Sequence, residues 1–125
     1  MATSRAQKFQ AYKAGADLSA HQYKIVKFGA DEKTVVLCGA GEKGIGVLQN
    51  APASGQVAEV AGFGGGAKVK CVGVITAGNN FASDANGFAI APTAGQWCIG
   101  IALKTSVADE VIPADLDGSY FPDGV

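Results

Sequence analysis

The chain has 125 residues, of which 48 % are apolar and 17 % are charged, and its formal net charge at pH 7 is −1. This length suits one domain, or one domain with a tail, that buries roughly two-thirds of its unfolded surface. Near neutrality excludes an overall attraction to nucleic acid, and no apolar run approaches the roughly 18 residues of a membrane-spanning helix. We therefore expect a globular domain that binds neither nucleic acid nor membrane.

The first 20 residues, MATSRAQKFQAYKAGADLSA, are predicted to form an arm that becomes ordered when it binds a partner. They are small and polar with scattered aromatic residues, and residues 5–13 would form a weak helical turn at most. Three basic side chains lie among residues 1–16, whereas residues 105–125 carry only acidic charges. We assign residues 1–20 to an extended N-terminal arm, 21–116 to a β-rich domain and 117–125 to a C-terminal tail.

Short alternating apolar runs predict eight or nine strands in the remainder of the chain. The predicted strands cover residues 23–28, 34–38, 45–49, 57–61, 67–72, 74–76, 88–91, 97–103 and 111–113. Turns rich in Gly, Pro and Asn separate them roughly every 8–12 residues, a spacing typical of a small β-barrel or β-sandwich. Little helix is expected, because 18 glycines would destabilise helices.

Two stretches of the chain nearly repeat each other. FGADEKTVVLCGAGEKGIGVL begins at Phe28, and FASDANGFAIAPTAGQWCIGIAL begins at Phe81, roughly half the chain further on. The alignment pairs Phe28 with Phe81, Asp31 with Asp84, Val35 with Phe88, Leu37 with Ile90, and Ile45-Gly46-Val47 with Ile99-Gly100-Ile101. Two copies are too few for a solenoid, which needs about three. The repeat therefore predicts pseudo-symmetric halves within one mainly β domain.

The sequence contains few motifs that indicate a catalytic site or a ligand-binding site. His21 is the single histidine, so neither a Ser–His–Asp set nor a metal site with enough ligands is expected. The Gly-rich run 62–68 lacks the Gly-Lys-Ser/Thr sequence of a phosphate-binding loop. Asp84-Ala85-Asn86-Gly87 indicates a tight hairpin turn rather than a calcium loop. We expect a protein that is not an enzyme and has no cofactor.

The chain has three cysteines, Cys38, Cys71 and Cys98. An odd count, wide spacing and apolar neighbours favour buried thiols, although a Cys38–Cys98 disulfide stays open. The N-terminal residues lack the apolar core of a signal peptide. We therefore expect synthesis in a reducing cytoplasm.

A carrier module is the alternative function, because repeated half-barrels also build lipoyl-like domains. Such a domain needs a modifiable lysine at an exposed hairpin tip. Lys33 and Lys43 lie at or near predicted turns, but neither has a distinctive flanking motif. A lipoyl-like carrier or another small β-barrel binding module therefore stays open as the alternative. A mass shift on the intact protein would reveal a modified lysine.

The chain resembles phage capsid decoration, or cement, proteins and related prophage-encoded head decoration proteins. The resemblance covers about residues 27–116 and is carried by turn and strand patterns. These are Gly46-Val47-Leu48, Ile75-Thr76-Ala77-Gly78, Ser83-Asp84-Ala85-Asn86-Gly87 and Ile99-Gly100-Ile101-Ala102-Leu103. They are typical of a fold rather than of a chemistry, and the family has no catalytic residues to carry over.

The resemblance implies a structural virion protein that assembles as a homotrimer on the outer capsid surface. It would bind the major capsid protein after the shell expands, resist internal DNA pressure, and be made in the bacterial host cytoplasm. With that partner, the arm is the expected contact, because a strand added to an open sheet edge needs few specific side chains. Docking through the acidic C-terminal tail stays open as the alternative. Phe9 and Tyr12 would be apolar anchors, and Arg5, Lys8 and Lys13 would meet acidic groups.

Overall fold

A computed structural model describes residues 9–121 of the chain. It contains ten strands and no helix in that part, which confirms the expected mainly β fold. The strands are β1 (Phe9–Ala14), β2 (Ile25–Phe28), β3 (Thr34–Leu37), β4 (Gly46–Leu48), β5 (Val57–Gly62), β6 (Gly66–Lys70), β7 (Asn80–Ser83), β8 (Ala89–Ile90), β9 (Gln96–Ala102) and β10 (Val111–Phe121).

The first half of the domain is a closed barrel in the order β1-β3-β2-β4-β5. Its closing strand is β1, which runs antiparallel to β5 from Phe9, opposite Ala61, to Lys13. On its other side β1 pairs in parallel with β3 through Lys13 and Ala14. Closure removes most of the open sheet edge that a five-stranded sheet would otherwise expose.

The second half is a five-stranded sheet in the order β6-β10-β9-β7-β8, in which every neighbouring pair is antiparallel. The neighbour order is the same as in the first half when β6 to β10 take the places of β1 to β5. The run β8-β7-β9-β10-β6 then corresponds to β3-β2-β4-β5-β1 of the closed barrel. Where β1 meets β3 in the first half, a single parallel bridge joins Cys71, just after β6, to Ala89 in β8. The predicted pseudo-repeated halves are therefore confirmed.

The repeated Ile-Gly step has a steric cause that is the same in both halves. A Cβ atom on Gly46 would lie 2.2 Å from the backbone oxygen of Ala61, and one on Gly100 would lie 2.3 Å from that of Asp115. Both distances are far below any van der Waals contact. Glycine recurs because the neighbouring strand, β5 or β10, passes too close for any side chain.

The turns before β4 and β9 also share one hydrogen-bond pattern. The Glu42 carboxylate accepts a bond from the backbone N–H of Gly39 at 2.7 Å. The Gln96 side-chain oxygen accepts one from the backbone N–H of Thr93 at 2.8 Å. The repeat thus extends to turn chemistry that the sequence alignment did not include.

The turns before β5 and β10 repeat in the same way. The Gln56 side-chain oxygen accepts a hydrogen bond from Ala53 N–H at 2.9 Å. Glu110 accepts one from Val107 N–H at 3.0 Å. Residues 53–56 and 107–110 therefore occupy equivalent positions in the two halves.

The alignment of Phe28 with Phe81 is wrong in its register. Phe81 is fully buried and pairs with Gly100, whereas Phe28 is 45 % exposed. The residue that pairs with Gly46 in the first half is Val26. Val26 is therefore the structural counterpart of Phe81, and Phe28 and Phe81 do not occupy equivalent positions in the two halves.

Two strand predictions in the second half are also wrong. Residues 74–76 lie in a loop, because Ile75 N–H donates to the Ser106 hydroxyl at 2.9 Å instead of to a ladder carbonyl. The predicted strands do not include β7 (Asn80–Ser83), which precedes the Asp84 turn. A side-chain hydroxyl thus replaces strand pairing where the apolar pattern favoured a strand.

The two ends of the described chain take part in sheets. Residues 9–13 form most of β1 where a weak helical turn was expected, because β5 offers a full pairing edge. At the other end, β10 continues to Phe121, beyond the boundary expected at residue 116. Residues 1–8 and 122–125 lie outside the described part.

The larger core cluster joins both halves. Ile25 and Val47 of the first half pack together with Phe81, Ile99 and Ile112 of the second, all essentially without solvent exposure. A smaller cluster fills the barrel of the first half. Because one core is shared, neither half buries its apolar surface alone.

Candidate docking surface

Strand β1 presents most of its residues to solvent. Ala14 is its one buried residue, and Phe9 is 48 % exposed. Within the described part of the chain, Phe9 to Tyr12 pair with β5 on one side only, because pairing with β3 begins at Lys13. This stretch therefore has an open backbone edge of the kind that accepts an added strand.

An aromatic pair lies beside this edge. The rings of Tyr12 and Phe28 meet edge to face, with centroids 5.9 Å apart and an interplanar angle of 74°. The Tyr12 hydroxyl donates to the Gln10 side-chain oxygen at 2.6 Å. Sequence reasoning missed Phe28, because its exposure depends on where β2 ends within the barrel. Both rings are held in place, so they would lose little freedom on binding.

A groove of about 560 Å³ runs along the second half of β1. Its lining residues are Ala11, Tyr12, Lys13, Glu32, Lys33, Gly55, Gln56 and Val57. The backbone N–H of Lys33 holds the pKa of the Asp31 carboxyl below its usual value, and the charges of Lys33 and Lys13 add to this effect. The groove thus combines an apolar floor with exposed charges of both signs.

Three of the five predicted site residues lie on β1. Phe9 and Lys13 are exposed and Tyr12 is half-buried. The other two, Arg5 and Lys8, lie outside the described residues. The docking role of all five remains a prediction.

The two lysines of the carrier alternative have different surroundings. Lys33 is exposed beside the β1 groove. The Lys43 ammonium lies over the Trp97 ring, 4.8 Å from its centroid, beside a groove of about 210 Å³ that Phe63 also lines. Neither position shows a feature that favours modification.

The three cysteines are buried thiols, as predicted, and within residues 9–121 none forms a disulfide. Burial raises the pKa of the Cys38 and Cys71 thiols, which opposes formation of the reactive thiolate. The Cys38 thiol donates to the backbone oxygen of Glu42 at 3.5 Å. These thiols serve as small apolar core residues.

His21 lies at the seam between the halves. Its Nδ1 is 2.9 Å from Nζ of Lys24, and that ammonium lies 4.1 Å from the ring centroid of Phe88 in the second half. Burial lowers the pKa of His21, and the charge of Lys24 lowers it further. Nζ of Lys70 lies 5.7 Å from the centroid of the same Phe88 ring, so two positive charges of the seam contact one aromatic ring.

Within residues 9–121, no group of three or more His, Cys, Asp or Glu side chains is placed to hold a metal ion. The same part of the chain contains no helix with the length and apolarity that crossing a membrane requires.

Comparison with known proteins gives a structural match. No family model matches the chain, and no curated protein matches it in sequence. Among solved structures, the chain is similar to the head fiber gp8.5 N base of bacteriophage phi29, with a TM-score of 0.68 and 13 % identity. The similarity covers 90 % of this chain and 95 % of that one. Over nearly its whole length, the chain shares the fold of a head fiber base.

Proposed function

We propose that the protein is a structural component of a phage virion, carried on the outer surface of the head and bound to the major capsid protein. The observation that carries this proposal is the fold shared with a head fiber base over 90 % of the chain. The sequence resemblance to capsid decoration proteins points in the same direction from separate features. Assembly as a homotrimer, which that resemblance implies, is part of the proposal.

The proposed contact with the capsid is the β1 surface, by which we mean Phe9 to Lys13 of β1 and the neighbouring Phe28. An extended capsid segment would add to the open edge of Phe9 to Tyr12, so that backbone pairing contributes affinity. The exposed Phe9 ring and the half-buried Tyr12 ring would be its apolar anchors. Lys13, with Arg5 and Lys8, would face acidic capsid groups and mainly raise the association rate. Three copies in a trimer would strengthen the attachment through effective concentration.

A binding assay with purified, expanded heads that lack this protein tests the proposal. The variant Phe9→Ser should bind at least tenfold more weakly, because an interface anchor typically contributes more than about 1.4 kcal/mol. Leu103→Ser is the matched control: Leu103 is 39 % exposed, lies outside the β1 surface, and its loss should leave binding unchanged. Equal binding of wild type and Phe9→Ser would contradict the contact, and no binding of the wild type would contradict the function.

A truncation separates the N-terminal residues from the strand. Removing residues 2–8 leaves β1 intact, whereas a deletion through residue 15 would remove the strand that closes the barrel. The short truncation should fold normally and bind heads more weakly, because it removes Arg5 and Lys8. Unchanged affinity would restrict the contact to β1 itself.

A further inference from the structure

The last strand, β10, extends beyond the end of its neighbour β6. Pairing with β6 stops at Asp115, whereas pairing with β9 continues to Phe121. On the β6 side, Leu116 makes two hydrogen bonds of 2.9 Å with the turn that follows β5. Within the described part of the chain, residues 117–121 therefore pair on the β9 side only. We call the other side of residues 117–121 the β10 edge.

The first half has no counterpart of this extension. Strand β5 holds the place that matches β10, and it ends at Gly62, one residue beyond Ala61, its last partner in β1. The strand order that the halves share therefore does not require the additional residues of β10. An open edge of this length presents backbone donors and acceptors that native domains usually cover.

The N-terminal end of β1 points toward the β10 edge. β1 runs antiparallel to β5, and Phe9 lies opposite Ala61, next to the turn at residues 63–65. A straight continuation of β1 toward residue 8 would pass this turn. β10 runs antiparallel to β6 and extends past the same turn in the opposite chain direction. Two segments in this arrangement have the relative direction of antiparallel neighbours.

The chain before β1 is long enough to reach and cover the edge. Eight residues in strand conformation span up to about 26 Å, whereas the β10 edge is about 17 Å long. The turn at residues 63–65 bonds to Leu116 and follows directly after β5, so the edge begins close to where β1 begins. Phe63 in this turn is 40 % exposed, and a strand that passes it would also cover apolar surface.

The charges of the two segments are complementary. Residues 1–8 carry Arg5 and Lys8 and no acidic residue, whereas residues 115–121 carry Asp115 and Asp117 and no basic residue. Asp115 is half-buried and Asp117 is exposed. Attraction between opposite charges favours this pairing over the approach of an acidic or neutral strand.

We propose that residues 1–8 add to the β10 edge of their own chain as an antiparallel strand. This pairing would join the first strand of the first half to the last strand of the second half. Because residues 1–8 are covalently attached to β1, their effective concentration at the edge is high. The added strand would also close the edge against unrelated strands. The inference concerns the free chain and does not rest on the proposed attachment to a head.

The proposed capsid contact stays available in this arrangement. The open side of Phe9 to Tyr12 belongs to β1 and lies outside the β10 edge. In the added strand, Arg5 and Lys8 are three positions apart, so their side chains would point to opposite faces and stay outside the backbone ladder. Pairing within the chain therefore uses the backbone of residues 1–8 and leaves both basic side chains at the surface.

The test is amide hydrogen exchange of residues 117–121, measured by mass spectrometry on the wild type and on the truncation that lacks residues 2–8. Alternate N–H groups of an antiparallel strand point to opposite neighbours, so about half of these amides face the β10 edge. Those amides should be protected in the wild type and should exchange about tenfold faster or more in the truncation. The Cys71 amide, which donates to the Glu110 oxygen at the other end of the β6–β10 pair, is the internal reference and should keep its rate.

A charge reversal tests the same contact in a chain of full length. Arg5→Glu should accelerate exchange at the same amides by about threefold, because it brings a like charge near Asp115 and Asp117. Lys33→Glu changes the net charge equally but lies in the turn before β3. It is the matched control and should leave the exchange rates of residues 117–121 unchanged.

Three outcomes would overturn the inference. The first is wild-type exchange at residues 117–121 that is as fast as in the truncation, and the second is an equal effect of Arg5→Glu and Lys33→Glu. The third is protection that is lost on dilution from about 100 μM to about 1 μM, because the segment would then dock on another copy. Head binding is no part of this readout, so failure of the proposed attachment to heads would leave the inference intact.

Discussion

The two halves of this domain repeat one strand order but close to different degrees. In the first half, two residue pairs between β1 and β3 complete a barrel. In the second half, the single Cys71–Ala89 bridge stands at the matching place, and the sheet stays open. Neighbour order and closure are therefore separate properties of one topology.

A stretch of the first half occupies the place of the missing pairs. The Ala14–Val35 pair matches the Cys71–Ala89 bridge, so Lys13 and Lys33 match Lys70 and Gly87. Lys13 N–H donates to the Lys33 oxygen at 2.8 Å, whereas Lys70 N–H donates to the Tyr23 oxygen at 2.8 Å and the Gly87 oxygen accepts from Ile25 N–H at 2.8 Å. The backbone from Tyr23 to Ile25 therefore takes the hydrogen bonds that would close the second sheet.

The halves also share backbone strain, but distribute it differently. Gly55 has a φ of +82° and its counterpart Asp109 has +62°; Tyr23 has +69° and its counterpart Gly78 has +89°. Tyr23 N–H donates to the backbone oxygen of Leu48, the last residue of β4, at 2.7 Å. Gly78 N–H donates in the same way to the backbone oxygen of Ala102, the last residue of β9, at 2.7 Å. Each half therefore holds one non-glycine residue in a left-handed conformation that its counterpart fills with glycine.

The largest expected loss of stability comes from substituting the glycine that both halves carry in the Ile-Gly step. Gly46→Ala and Gly100→Ala should each destabilise the domain by about 3 kcal/mol, because the added Cβ meets a strand backbone that cannot move cheaply. Urea unfolding followed by Trp97 fluorescence measures both. Gly73→Ala is the control, since no atom lies within 4 Å of its Cβ position. A large loss at one glycine alone would show that the halves are not equivalent here.

A reciprocal exchange sharpens the comparison of strained positions. Asp109→Gly should stabilise the domain by about 0.5 kcal/mol and Gly55→Asp should destabilise it by about 1 kcal/mol. The gain is smaller because glycine also adds freedom to the unfolded chain. A Cβ on Gly55 would meet only Lys13 Cε at 3.9 Å, so backbone strain dominates. Thermal unfolding measures both variants, and shifts of the same sign would contradict the assignment.

The smallest expected effect concerns pH and only the first half. The pKa of His21 lies below its ordinary value of 6.5, so the unfolded chain binds more protons as pH falls through the interval between the two values. Folding stability should therefore decrease with falling pH across that interval. His21→Gln should remove this part of the pH dependence, measured as urea midpoints between about pH 7.5 and pH 5. An unchanged slope would rule out His21 as its source. The matching second-half residue, Thr76, does not titrate.

Several features of this protein could be predicted because their causes are local. Alternation placed most strands to within a few residues. The Asp84 turn forms as expected, with the carboxylate accepting from Asn86 N–H at 2.8 Å and Phe88 N–H at 2.9 Å. The Ile-Gly repeat indicated two related halves, and apolar neighbours indicated buried cysteines. In each case, the residues that decide the structure lie next to one another in the chain.

Other features depended on partners distant in sequence. β1 is a strand because β5 pairs with Phe9 to Lys13, although the local pattern of those residues is weak. The exposure of Phe28 and Val74 follows from where strands end and which loops bond to each other. The candidate site is divided likewise: the sequence indicated Phe9, Tyr12 and Lys13 as contact residues. Only tertiary pairing decided that Phe9 and Tyr12 lie on an open edge beside Phe28 while Lys13 pairs on both sides, because ladder partners are chosen across the whole fold.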